Sequence, residues 1–357
     1  MRTLFLLCAV LPTRLSLAET SETEARNRIW YPAVQSPIQM ILSGSLDIDP
    51  WHPSIVPNIG IYDIDLFDNS NDTIRLLHRL GKKVVCYFSA GTAEDWRPDF
   101  GNFTESDMGA NLPLWPGERY LNIRSKNVWK IMARRLLLAK QKGCDAVDPD
   151  NIDVYSNLNG GGVKPPITER DAIRYLRQLS SFSHRLGMSI GLKNSLEILP
   201  FVTNNVEFAV NEECVLNSTC GKYSKFTSPS RGSIGKAVFH VEYERPRPSS
   251  TSWNITAFAF PDVPGSDKLK LSTFIKTLDL NGWIMWCDGR VEITKTKAVE
   301  VPEVPPAGNG TEPVDSETEL EKQLDADLQG VVFPTPTGAI KDRRPGPRYL
   351  RGVHKAL

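Results

Sequence analysis

Short apolar runs, each followed by a polar turn and then a stretch with helical spacing, recur between about residues 36 and 291. Eight of them read as strands: 38–42, 59–65, 84–89, 144–150, 189–194, 207–212, 237–243 and 283–289. Their continuous apolar character suits strands covered on both faces, as in a parallel sheet. Between them, residues 71–80 begin at an asparagine cap and stop at Gly81. Residues 125–141 carry one apolar face and end before Gly143, while residues 168–186 open on a polar TERD and end at Gly187. Such starts and stops are those of helices. Strand and helix alternating about eight times predicts an α/β fold, a single (β/α)8 TIM barrel over residues 36–291. No glycine-rich phosphate loop follows the first strand, which places a doubly wound open sheet second.

Both ends of the chain depart from this pattern. Residues 1–18 hold one early arginine, an apolar run and a small-residue exit, the layout of a secretory signal peptide. Residues 19–35 read as a polar lead. After 291 the periodicity fades into prolines, an acidic run and a basic end, apart from a short helical stretch at 316–328. Residues 292–357 are therefore expected to be a disordered tail, a linker or a wall-interacting extension. The triple glycine of residues 160–166 suits either a mobile lid or a plain connection.

An exported chain changes the reading of its cysteines and asparagines. Cys8 leaves with the signal peptide, and Cys214 and Cys220 enclose a short loop that closes readily as a disulfide. Cys86, Cys144 and Cys287 sit in apolar runs and read as buried thiols unless two of them bridge. Asn71, Asn102, Asn217, Asn254 and Asn309 each head a glycan acceptor sequence. The expected location is extracellular, with cell-wall association a further reading.

Composition mostly excludes. Apolar residues at 40% and charged residues at 24% allow an ordinary core. Lysine plus arginine equals aspartate plus glutamate at 42 each, which argues against bulk binding to nucleic acid or an anionic membrane. No stretch after the leader reaches the ~18 apolar residues of a membrane helix. The histidines form no metal-binding spacing, so neither a metal nor a cofactor is expected. A monomer is the favoured oligomeric state.

The candidate chemistry lies at the ends of the strands. Asp63, Asp65, Asp148, Asp150, Glu212, Glu242 and Asp288 all fall there, although aspartate is a poor strand residue. A barrel gathers strand ends into one cleft, where crowded carboxylates raise one another's pKa values. The turn Asp148-Pro149-Asp150-Asn151 is stiffened by its proline, and Glu212 abuts the Cys214–Cys220 loop. Tyr62, Tyr87, Trp96, Trp115, Tyr155, Tyr243 and Trp286 lie near the same exits, and aromatic faces stack on sugar rings. Acids, aromatics and amides without metal ligands or a nucleophile elbow point to glycoside cleavage.

At these residues the sequence resembles glycoside hydrolase family 114, the endo-α-1,4-polygalactosaminidase-like barrels, especially fungal members. The resembling segments are CYFSAGTAEDWRPDF (86–100), GERYLNIRS (117–125), GCDAVDPDNIDVY (143–155), IGLKN (190–194) and FAVNEEC (208–214). The resemblance implies a TIM-barrel hydrolase of α-1,4-linked galactosamine or N-acetylgalactosamine polymers, with an Asp from the fourth strand and a Glu from the sixth. On this sequence these are Asp150, with Asp148 as understudy, and Glu212. Gln39, Asp63, Tyr87, Ser89, Lys193 and Asn194 match positions expected to line the sugar pocket. Asp65, Glu242 and Trp286 join them as strand-exit candidates for substrate binding. The adopted mechanism has Asp150 as nucleophile and Glu212 as acid/base, a retaining arrangement with carboxyls about 5–5.5 Å apart. An α-galactosidase and a non-catalytic carbohydrate-binding barrel are the alternatives.

Overall fold

Eight parallel strands follow one another around the sheet in chain order. They are β1 (Ile38–Ile41), β2 (Ile61–Asp65), β3 (Lys83–Ser89), β4 (Ala146–Asp150), β5 (Ser189–Lys193), β6 (Phe208–Glu212), β7 (Ala237–Tyr243) and β8 (Ser272–Lys276). The chain after β8 comes back against β1, where Leu42 N donates to Leu280 O at 2.9 Å. The result is the predicted α/β barrel, seen in a computed structural model that describes residues 29–229, 234–244 and 269–297. The expected leader, Asn254, Asn309 and the tail beyond residue 297 lie outside the described residues.

Side chains alternate across each strand, and one set builds the interior. Low in the barrel this set is apolar: Ile38, Met40, Val85, Phe208, Phe239 and Phe274 belong to one buried cluster. Toward the carboxyl ends it turns polar, at Asp63, Tyr87, Asp148, Asp150, Lys193, Glu212 and Tyr243. Strand register carries this switch from β2 to β7. The apolar layers thus form the floor of a polar mouth.

Three helices cover the β2–β5 side, and their caps are written in the sequence. Helix α1 (Asn71–Arg79) is capped not by the expected asparagine, which is its first helical residue, but by Ser70, whose hydroxyl accepts from Thr73 N. Helix α2 (Lys126–Lys142) is capped by Ser125 and stops at Gly143, whose φ of 91° suits glycine. Helix α3 (Glu169–Arg185) opens with a Thr168/Asp171 capping box. Trp129 of α2 meets Phe182 of α3 edge-on at 5.8 Å.

Two further expectations are corrected, and two open readings narrow. Residues 283–289 were expected to supply the eighth parallel strand, but β8 is Ser272–Lys276. Trp283–Trp286 forms β9, which pairs antiparallel with β8. The loop between them is too short for the crossover that a parallel return requires. Ordered strand also runs past 291: β10 (Val291–Ile293) pairs with β9, and Thr296–Lys297 pairs with Ser45–Leu46. Cys86 and Cys144 are not thiols but a disulfide, joining β3 to the residues before β4, beside the expected Cys214–Cys220 bridge. The glycine loop is tied to the segment before it, where Ala110 N donates to Gly161 O at 2.9 Å, as a plain connection would be.

One element carried no signal in the hydrophobic pattern. After β3 the chain makes an antiparallel three-stranded excursion of Thr92–Glu94, Met108–Asn111 and Glu118–Leu121. Gly91 starts it so close to β4 that a Cβ there would lie 1.7 Å from Asn151 O. Ala90 N and Gly91 N both donate to Asp150 O, at 2.9 and 3.1 Å. The excursion therefore clamps the backbone of the acid turn.

Candidate active site

Lys193 is the hub of the mouth. Its ammonium lies 3.5 Å from Asp150, 3.8 Å from Glu212 and 4.0 Å from Asp148, and the side chain is buried. Burial works against its charge, but Asp150, Glu212, Asp148 and Asp63 outweigh burial and hold its pKa above the usual lysine value. Lys193 also lies over the Tyr87 ring at 5.4 Å. The residues just after Asp150, Lys193 and Glu212 all have left-handed backbones: Asn151 at φ 59°, Asn194 at 50° and Glu213 at 58°. Non-glycine residues adopt this conformation at a cost, and such strain gathers at functional sites.

Asp150 and Glu212 are the two acids that combine solvent access with fixed orientation. Their side chains are 17% and 26% exposed, whereas Asp148 and Asp63 are at 0%. Asp150 accepts from Tyr87 OH at 3.1 Å and from Asn151 N at 2.7 Å. Glu212 accepts from Asn194 Nδ2 at 2.8 Å and from Tyr243 OH at 2.5 Å. Asn194 Oδ1 accepts from Glu212 N at 2.9 Å, so one amide fixes both ends of Glu212. Two oxygens at 3.5 and 3.8 Å from one nitrogen can be no farther apart than the sum of those distances. Both carboxylates therefore reach the same ammonium. Burial raises the Asp150 carboxyl, Lys193 pulls it back, and Glu212 raises it again.

A hydroxyl chain supports this pair from the excursion. Asn151 Nδ2 donates to Ser89 Oγ at 3.1 Å, Ser89 Oγ meets Thr92 Oγ1 at 2.5 Å, and Thr92 Oγ1 donates to Glu118 Oε2 at 2.7 Å. Burial pushes Glu118 up to about 7, with Glu94 and Asp150 adding to it and Thr92 opposing. The pattern along the chain missed Glu118 and Asn151 as site residues. Both sit inside segments quoted for the family resemblance, Asn151 in 143–155 and Glu118 in 117–125, but neither stands at the end of an expected strand.

Other candidates serve elsewhere. Gln39 is buried on the outward face of β1 and donates to Gly282 O and Thr294 Oγ1, both at 2.9 Å, joining β1 to the segment after β8. Asp65 binds Arg97 at 2.6 and 3.0 Å and accepts from Phe67 N and Asp68 N, so it builds a turn. Glu242 faces away from Tyr243 and accepts from Val215 N at 2.8 Å, holding the Cys214–Cys220 loop. Trp286 pairs with Phe274 on the reversed β9, and its Nε1 donates to Glu292 at 2.5 Å. Asp288 is exposed and accepts from Arg290 N in a turn. The acceptors Asn71, Asn102 and Asn217 are all exposed.

Among the described residues, Cys214, Cys220 and His240 form the one cluster of metal-ligating types. The two sulfurs are bonded to each other and offer no thiolate, so the group is not a metal centre. A cleft of about 450 Å³ opens on the excursion, lined by Asp95, Phe100, Asn111, Trp115 and Arg119 among others. No described helix is long and apolar enough to cross a membrane.

A barrel whose strand ends present two oriented, solvent-reaching carboxylates defines a carbohydrate-cleaving hydrolase. The comparisons agree with that class. The model of glycoside-hydrolase family GH114 matches residues 19–292, and the chain belongs to this family. It is similar to the crystal structure of Aspergillus fumigatus Ega3 in complex with galactosamine, at 42% identity and a TM-score of 0.63. That match covers 72% of this chain and 97% of Ega3. The glycoside hydrolase domain of PelA from Pseudomonas aeruginosa matches at 12% identity and a TM-score of 0.47, over 69% of this chain and 96% of that domain. No curated protein matches.

Proposed function

We propose that this chain is a secreted retaining hydrolase of α-1,4-linked galactosamine polymers, with Asp150 as nucleophile and Glu212 as acid/base. The observation that carries the reading is that Asp150 and Glu212, both reaching solvent, flank one buried ammonium. Asp150 lies nearer to Lys193 and takes a backbone N–H, and both oppose the rise that burial gives its carboxyl, which favours it as the nucleophile. In the first step the Glu212 proton passes to the glycosidic oxygen as the C1–O bond breaks, and Asp150 bonds to C1. Water then attacks C1, Glu212 takes its proton, and the Asp150 carboxylate leaves.

Two things support the substrate. Ega3, the relative at 42% identity, was crystallised with galactosamine. The mouth also carries more carboxyls than cations, which suits a sugar bearing an ammonium group. The Trp115 cleft gives a more distant ring of the polymer an indole face and the Asp95 carboxylate. Two disulfides, with exposed Asn71, Asn102 and Asn217, support export to an oxidising compartment.

The test is incubation with α-1,4-galactosamine oligomers and, separately, an aryl α-galactoside, with products followed by mass spectrometry. Shortened oligomers from the unmodified enzyme are expected. Release from the galactoside alone would move the substrate to α-galactosides, and binding without turnover by folded protein would leave a carbohydrate-binding barrel.

A further inference from the structure

Two carboxyls below the reacting pair have no role in the mechanism above. Asp63 and Asp148 point into the barrel from β2 and β4 and are both fully buried. None of their four oxygens receives a hydrogen bond from a protein N–H or from a hydroxyl of another residue. By register, Asp65, Tyr87 and Asp148 lie in one row, with Asp63 a layer deeper and Asp150 a layer higher. The groups facing the two carboxyls are Lys193, Asp150 and Glu212.

The protonation of the two acids follows from elimination. If both were ionised, two buried charges would share part of one ammonium already serving Asp150 and Glu212, and each unpaired buried ion costs several kcal/mol. If both were neutral, Lys193 would keep Asp150 at 3.5 Å but lose the Asp148 charge that holds it from below at 4.0 Å. One proton between them supplies the missing hydrogen bond and leaves one negative charge beside the ammonium.

We propose that Asp63 and Asp148 share a single proton, with Asp63 O–H donating to the Asp148 carboxylate, and that this pair positions Lys193 between the two reacting acids. Asp63 is then a positioning residue rather than a sugar contact. Burial, and after it the Asp148 charge, push Asp63 well above the usual carboxylate range. Burial takes Asp148 to about 7 against the pull of Lys193. The order of the two fits Asp63 as donor.

The kinetic part rests on Asp150 and Glu212 being the reacting acids; the spectroscopic part does not. The infrared difference between the unmodified protein and Asp63→Asn at neutral pH is expected to contain a protonated-carboxyl band. The protons of Glu118 and Glu212 do not supply it, because they are common to both. The same band is expected when Asp63→Asn is compared in the Asp150→Asn background. Asp63→Val removes the donor and is expected to lower kcat by about 100-fold with KM little changed, as misplacement of a reacting group does. Asp63→Asn restores an N–H donor and is expected to recover most of that loss. A missing band overturns the pair, as does equal loss in both variants or a raised KM at constant kcat in Asp63→Asn. Should Asp63→Val fail to fold, the band and the Asp63→Asn kinetics still decide. A band present in a protein inactive on galactosamine oligomers would overturn the substrate reading and leave the proton pair standing.

Discussion

The barrel mouth holds two acid clusters that the sequence makes look alike, and they differ in how their charge is neutralised. Around Arg97 and Arg135 every acid has a guanidinium partner. Arg97 bonds Asp65 at 2.6 and 3.0 Å and Glu94 at 3.0 Å, while Arg135 clasps Asp99 through two bonds of 2.8 Å. Both guanidinium groups lie over Phe67, at 4.9 and 5.1 Å. Around Lys193 four carboxyls gather on one ammonium. Two guanidinium groups paired with Asp65, Asp68, Glu94 and Asp99 hold structure, although burial still raises Glu94 and takes Asp68 to about 6. Four carboxyls on one ammonium are further from neutrality and hold the protons that acid/base chemistry uses.

The largest effects come from exchanging the tests between clusters. Asp150→Asn and Glu212→Gln are each expected to lower kcat by about 10³-fold, the range for removing an acid/base or nucleophilic group. Tm is expected to change little in either, because the amides keep the shape of the acids and Lys193 keeps its other carboxylates. Arg97→Met should do the reverse. It strands Asp65 and Glu94 in a buried setting and is expected to cost about 3–5 kcal/mol, a Tm lower by roughly 10 °C in calorimetry. A rate loss in Arg97→Met at unchanged Tm would erase the distinction.

The pH dependence of stability separates the clusters next. Asp148 and Glu118 are both pushed up to about 7 by burial, from ordinary values of 3.8 and 4.5. Between those limits the folded state binds more protons than the unfolded chain, so stability falls as pH rises through the window. Tm measured from acid to neutral pH should therefore decline toward pH 7 in the unmodified protein. The decline should be shallower in Asp148→Asn, and an identical slope would contradict the raised Asp148.

How much of this was legible follows from which physics left a mark on local sequence. Buried parallel strands read as apolar runs, so seven of the eight were visible. β8 was not, because the polar Ser272, Thr273 and Lys276 dilute STFIK, while the more apolar WIMW drew the assignment. Loop length held the answer, since the six residues 277–282 permit only a hairpin. Asp150, Glu212, Lys193 and Asn194 were legible from motifs and come together. Gln39 entered through the family resemblance, and Asp65 and Glu242 share the residue type and strand-exit position of Asp150 and Glu212. Their partners Thr294, Arg97 and Val215 lie on other segments, and pairing between distant segments leaves no local pattern. The Cys86–Cys144 bridge is silent for the same reason.

The smallest effect tests whether the excursion belongs to the site. Trp115 is 51% exposed in the cleft, so replacing it removes an available face rather than a core side chain. Trp115→Ala is expected to leave Tm unchanged and to weaken binding of long galactosamine chains by about 1 kcal/mol, a several-fold rise in KM. Oligomers too short to reach the cleft from Asp150 should show no change. Equal effects on short and long substrates would make Trp115 part of the reacting pocket. No effect on either would confine the excursion to clamping Asp150 through Ala90 and Gly91, which is a role within the scaffold.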